Sequence, residues 1–145
     1  MLQKLILDGV GPAKHLEVEF AERLNLITGD NGLGKSFLLD VAWWALTGGW
    51  PSRDRTAMPR RDAEVSELAY VIRDREKPAT FRFAHSAQAW RPHGLPQRIW
   101  RSAGPVIYAQ VEGEFAIWDS RRNVSSAGTN RDVPFLFNSI QVWRG

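Results

Sequence analysis

Eight consecutive residues have the types and spacing to do chemistry together: Gly29-Asp30-Asn31-Gly32-Leu33-Gly34-Lys35-Ser36. They fit the pattern G-x-x-x-x-G-K-[ST] of a phosphate-binding loop. Polyphosphate oxygens are dense in negative charge, and glycines let backbone N–H groups converge on them where side chains would obstruct. A helix starting near Lys35 aims its unpaired amides and positive dipole end at the same place. Lys35 would then reach the β- and γ-phosphates, and the Ser36 hydroxyl would ligate Mg²⁺. Phe37 follows directly and belongs to the same candidate cradle.

Such a loop needs a strand before it and a helix after it. Residues 24–28, short and mostly apolar, read as a buried central strand. Residues 37–46 read as a helix that Gly48-Gly49 stops, with apolar positions over most of its circumference, as a well-buried helix has. Upstream, residues 2–7 form an apolar strand and residues 15–20 alternate polar and apolar, so a hairpin across Gly9-Val10-Gly11-Pro12 is expected. Downstream, 50–61 is a loop, and 66–72 and 80–90 are two strands around a charged turn. Residues 91–105 are another loop, and 106–111 with 114–118 form a hairpin around Glu112-Gly113. Residues 120–132 are polar, and 133–143 begin an element of unassigned type.

The block Leu24-Asn-Leu-Ile-Thr-Gly-Asp-Asn-Gly-Leu-Gly-Lys-Ser-Phe-Leu-Leu-Asp40, with Trp44-Ala-Leu-Thr-Gly48 after it, resembles the start of ABC-class ATPases. Within that class it looks most like the SMC, RecF and OLD-nuclease group, often labelled bacterial AAA-family ATPases. The resemblance covers residues 1–48. The β-rich stretch 63–119 fits the group's antiparallel sheet as architecture alone. It implies a split ATPase: the phosphate loop comes early, while a glutamine loop, a signature helix, an acidic strand and a switch histidine follow. Two such heads then sandwich two ATP molecules.

Most of those later parts are missing from these residues. The nearest approach to an acidic strand, 68–72 with Arg73 and Asp74, is broken by Arg73 and has no Glu after Asp74. No stretch like L-S-G-G-Q occurs. The chain thus reads as an N-terminal lobe over 1–145: a truncated product, a mis-read frame, or a half that pairs with another chain. Gln141, and less readily Gln110, stand as candidates for the Mg²⁺-contacting glutamine. Lys14 and His15 fall where the group often places adenine- or phosphate-contacting residues, although surface turn positions explain them as well.

Other features have simpler readings. Trp43 and Trp44, among seven tryptophans, pack the helix onto the sheet. Trp90-Arg91, Trp100-Arg101 and Trp143-Arg144 repeat an aromatic-basic pair without shared spacing, and ordinary surface accounts for them. Arg53, Arg55, Arg60 and Arg61 could touch DNA or a partner's γ-phosphate, but Asp54, Asp62 and Glu64 dilute the field, so a solvated loop is the default. His85 and His93 have no partner at metal-ligand spacing.

The 145 residues carry 19 Lys plus Arg against 16 Asp plus Glu, a net charge of +3, and no cysteine. A disulfide scaffold, a thiolate metal site and a cysteine nucleophile are excluded. No run is long and apolar enough to span a membrane, and no signal peptide leads the chain, so the cytoplasm is expected. The expected fold is α/β, a P-loop core with a mixed sheet and an antiparallel β subdomain. The expected function is Mg²⁺-ATP binding, with hydrolysis only when a C-terminal lobe or a head-to-head dimer supplies the rest. DNA is an open partner. The alternative is a protein- or DNA-interaction module with a vestigial loop.

Overall fold

A computed structural model describes residues 1–32, 34–51, 56–72, 77–94, 104–110, 113–119 and 135–137. The first two strands, β1 (Leu2–Asp8) and β2 (His15–Glu19), form the expected hairpin, with Leu5 opposite Val18 and Leu7 opposite Leu16. Alternation decides their faces: Leu5 and Leu7 are buried, while Glu17 and Glu19 stay out and pair with Lys4. One helix follows, α1 (Lys35–Thr47), and then β3 (Glu67–Ile72), β4 (Ala79–Ala84), β5 (Ala89–Pro92), β6 (Val106–Ala109), β7 (Phe115–Trp118) and β8 (Phe135–Phe137).

Five strands join in the order β2-β1-β3-β4-β5, and three more in the order β6-β7-β8. Every pairing between these strands is antiparallel. β1 lies between β2 and β3, so Leu5 and Leu7 meet Tyr70 and Leu68 on their other side.

α1 lies between the two sheets. Leu38, Val41, Trp44 and Ala45 belong to the main core with Leu5, Leu7, Leu68, Tyr70 and Phe81. Trp43, one residue from Trp44, instead enters a second core with Ala116 and Trp118 of β7. A helix with a sheet on each side needs apolar residues around most of its surface, which is the pattern its sequence carries. Trp44 stacks on Trp50 at 5.3 Å and meets Phe81 edge-on at 4.8 Å. Gly48 ends the helix, its N–H bonded to Trp44 O at 2.8 Å.

Two expectations are corrected. Residues 24–28 form no strand: they lie outside both sheets and leave Leu24 82% and Leu26 86% exposed. The parallel component of the expected mixed sheet is therefore not formed by the described residues. An apolar run becomes a strand only where a neighbour offers backbone donors and acceptors. Asn25 is also engaged locally, its Oδ1 accepting from Ala21 N at 2.7 Å and its Nδ2 donating to Ala21 O at 3.0 Å. Ile27 alone of this run packs against the main core.

The run 80–90 is two strands rather than one. It folds back at residues 85–88, where Gln88 takes φ 47° and Phe83 comes to lie opposite Trp90. The hairpin of β6 and β7 is as expected, and residues 135–137 of the unassigned 133–143 element form β8.

Candidate nucleotide-binding site

The phosphate-loop motif leads directly into α1. Gly29, Gly32 and Gly34 all have positive φ, at 143°, 85° and 86°. Gly34 is the N-cap of α1 in the left-handed region, and no side chain caps the helix there. Leu38 N–H makes the first bond into the helix, to Gly34 O at 2.9 Å. The amides of Lys35, Ser36 and Phe37 precede it and have no acceptor upstream within the helix. The first turn holds no acidic residue, so no carboxylate of that turn opposes an anion at the positive end of the helix dipole. Ser36 is exposed at this end.

Lys35 folds back along the loop. Its Nζ donates to Gly29 O at 2.7 Å and Asp30 O at 2.6 Å. The ammonium thus ties the start of the loop to the start of the helix. Leu33 lies outside the described residues. Of the rest of the sequence-derived cradle, Gly29, Asp30, Asn31 and Gly32 precede it, Gly34 caps the helix, and Lys35, Ser36 and Phe37 form the first turn of α1.

The turn between β1 and β2 packs under this loop. A Cβ built on Gly34 would lie 2.7 Å from Pro12 Cγ, and one built on Gly11 would lie 2.3 Å from Phe37 Cε1. Lys14 closes the same turn, its carbonyl accepting from Gly9 N at 2.8 Å. His15 Nδ1 bonds Asp8 Oδ1 at 2.5 Å, and that carboxylate holds the imidazole above its ordinary pKa.

Arg60 is not the solvated loop residue that its sequence context implies. Its guanidinium joins Asp62 to the carbonyls of Gly11 and Pro12. Gln110 sits at the tip of the β6–β7 hairpin, its Oε1 buried without a hydrogen-bond partner. Gln141, Arg53, Arg55, Arg73, Asp74, Trp100, Arg101, Trp143 and Arg144 lie outside the described residues. Trp90 is packed, its Nε1 donating to Ala57 O at 2.9 Å and its ring edge-on to Phe83. His85 rests its ring on the Phe83 edge at 5.2 Å.

One polar contact behind the site was not singled out from sequence. Tyr108 Oη donates to Asp40 Oδ1 at 2.8 Å, linking α1 to β6. The signal was one acidic residue inside the apolar stretch Leu38-Leu39-Asp40-Val41, on an arc where a carboxylate is buried only with a donor.

The AAA domain family model matches residues 4–127, which include most of β1, all of β2, the phosphate loop and the strands through β7. The chain belongs to the AAA domain family. That membership makes it an AAA-type P-loop ATPase domain, in agreement with the loop geometry. The search of curated proteins returned no match. Among the described residues of this AAA domain, no helix is long and apolar enough to cross a membrane.

Proposed function

We propose that this AAA domain binds Mg²⁺-ATP, in the manner of SMC-, RecF- and OLD-like ATPase heads. The observation that carries this reading is the join of the glycine turn to α1. Three glycines with positive φ lead into a helix whose first-turn amides have neither a side-chain cap nor an acidic neighbour. That is a surface for a polyphosphate rather than for a neutral or cationic ligand.

The residues divide the work. The backbone N–H groups of Gly32 and of Gly34 to Phe37 donate to the β-phosphate oxygens, which they can approach without the bulk of a side chain. Lys35 gives up its two loop carbonyls for phosphate oxygens, exchanging neutral acceptors for anionic ones. The exposed Ser36 hydroxyl is the metal-side donor set of this loop, and Mg²⁺ held there would neutralise charge on the β- and γ-phosphates.

Hydrolysis needs a carboxylate to orient water, and the sequence presents no apolar strand ending in Asp-Glu. On this reading the water-orienting carboxylate is supplied by a second lobe or by another head.

Titration with a fluorescent ATP analogue, with and without Mg²⁺, tests the proposal. Saturable binding is expected, and Lys35→Ala should weaken it by roughly ten- to a hundredfold, as loss of a charged hydrogen-bond donor to an anion implies. An affinity unchanged by Lys35→Ala would overturn it.

A further inference from the structure

Arg60 connects two parts of the chain that are far apart in sequence. Its Nε and Nη2 donate to Asp62 Oδ1 at 2.9 Å and Oδ2 at 3.0 Å, a bidentate pair. Its Nη1 donates to Gly11 O at 3.2 Å and Pro12 O at 3.0 Å. The side chain is 25% exposed, and Asp62 is held below the ordinary carboxylate pKa chiefly by its bond to Arg60. The main chain and one serine support the same contact: Arg60 N donates to Gly9 O at 2.9 Å, Val10 bridges to Pro59, and the Ser66 side-chain Oγ donates to Gly9 O at 2.8 Å.

The far side of the Gly11–Pro12 turn is the phosphate loop. Pro12 abuts Gly34, the N-cap of α1, and Gly11 abuts the ring of Phe37 in the first helical turn. A planar guanidinium that fixes both carbonyls of this turn therefore fixes the floor on which the α1 amides stand.

We propose that Arg60, oriented by Asp62, is a positioning residue for the phosphate loop, acting through the Gly11–Pro12 turn. This rests on the nucleotide-binding reading. Arg60 touches no ligand. It sets the angle at which the amides of residues 34–37 face a polyphosphate.

The test measures dissociation constants for the fluorescent ATP analogue and for inorganic triphosphate, on the full chain, at a temperature where circular dichroism shows each variant folded. Arg60→Ala should weaken both probes by about tenfold, the scale on which residues act through a neighbour. Asp62→Asn should weaken them less, since the carbonyl contacts survive, and it serves where Arg60→Ala does not fold. Added methylguanidinium should restore binding to Arg60→Ala and not to Lys35→Ala.

Combining Arg60→Ala with Pro12→Ala should cost less than the sum of the two, because both act on one turn. Additive losses, or wild-type affinity in both Arg60→Ala and Asp62→Asn, would overturn the positioning role. If the unsubstituted chain binds neither probe, or Lys35→Ala binds as well as it does, the nucleotide-binding reading fails instead.

Discussion

Pro12 and Gly34 are in van der Waals contact across the base of the phosphate loop, so close that a single methyl on Gly34 would come within 2.7 Å of Pro12 Cγ. Gly34 also has φ 86°, a conformation L side chains rarely adopt. Gly34→Ala thus meets a steric and a backbone penalty together. We expect it to lower unfolding free energy by about 1–3 kcal/mol and to abolish ATP binding at concentrations that saturate the wild type. Urea denaturation and analogue titration on the same sample check both halves.

The hydroxyl of Ser36 gives a separate handle on the metal. Ser36→Ala keeps the glycine turn and Lys35, so analogue binding in the absence of Mg²⁺ should stay within about twofold of wild type. The gain in affinity on adding Mg²⁺ should fall by about tenfold, as loss of one ligand predicts. An unchanged Mg²⁺ response would place the metal elsewhere.

Tyr108 and Asp40 join the helix to the three-stranded sheet through one bond of 2.8 Å. Tyr108→Phe keeps the ring that lies 6.0 Å from Trp43 and removes the hydroxyl that donates to a buried carboxylate. A loss of about 1–3 kcal/mol is expected, read as a lower urea midpoint at unchanged slope. No shift in the midpoint would mean that this bond contributes nothing net.

The His15–Asp8 bond gives a pH dependence. Asp8 raises the imidazole above its ordinary value of 6.5. Stabilisation of the hairpin by this pair is therefore complete below about pH 6.5 and lost as pH rises through the higher native value. Nuclear magnetic resonance titration of the His15 ring should give a pKa above the ordinary value in the wild type, falling back in Asp8→Asn. Identical titrations in the two proteins would count against the pairing.

Leu24 and Leu26 test the corrected strand. At 82% and 86% exposure they bury almost nothing in this chain. Replacing both with Ser should change stability by less than about 0.5 kcal/mol each and improve solubility. A loss of several kcal/mol, as for buried leucines, would mean that 24–28 is a paired strand after all.

What sequence pattern revealed was local. The β1–β2 hairpin is legible because an apolar run at residues 2–7 and the alternation of Leu16 and Val18 with polar residues flank a Gly-Pro turn. The phosphate loop is legible because its glycines, Lys35 and Ser36 serve one ligand class. Other features depended on partners distant in the chain. Residues 24–28 have strand composition, but pairing is a property of two segments, and Asn25 is committed to Ala21. The β4–β5 turn escaped because residues 85–88 include none of the Gly, Pro, Asn or Asp that mark turns most strongly, and Ser86 is a weaker signal. Arg60 looked like one basic residue among several because its acceptors, Gly11 O and Pro12 O, stand 49 and 48 positions away.

Trp43 and Trp44 point into different cores from consecutive positions on α1. Neighbouring helix positions lie about 100° apart around the axis. Any roll of α1 would thus pull one indole from the five-stranded side and the other from the three-stranded side, each a loss of about 3–5 kcal/mol if complete. The helix is keyed against rotation. A ligand gripping its N-terminal amides accordingly meets donors whose azimuth is already set, and does not have to supply the entropy of fixing it.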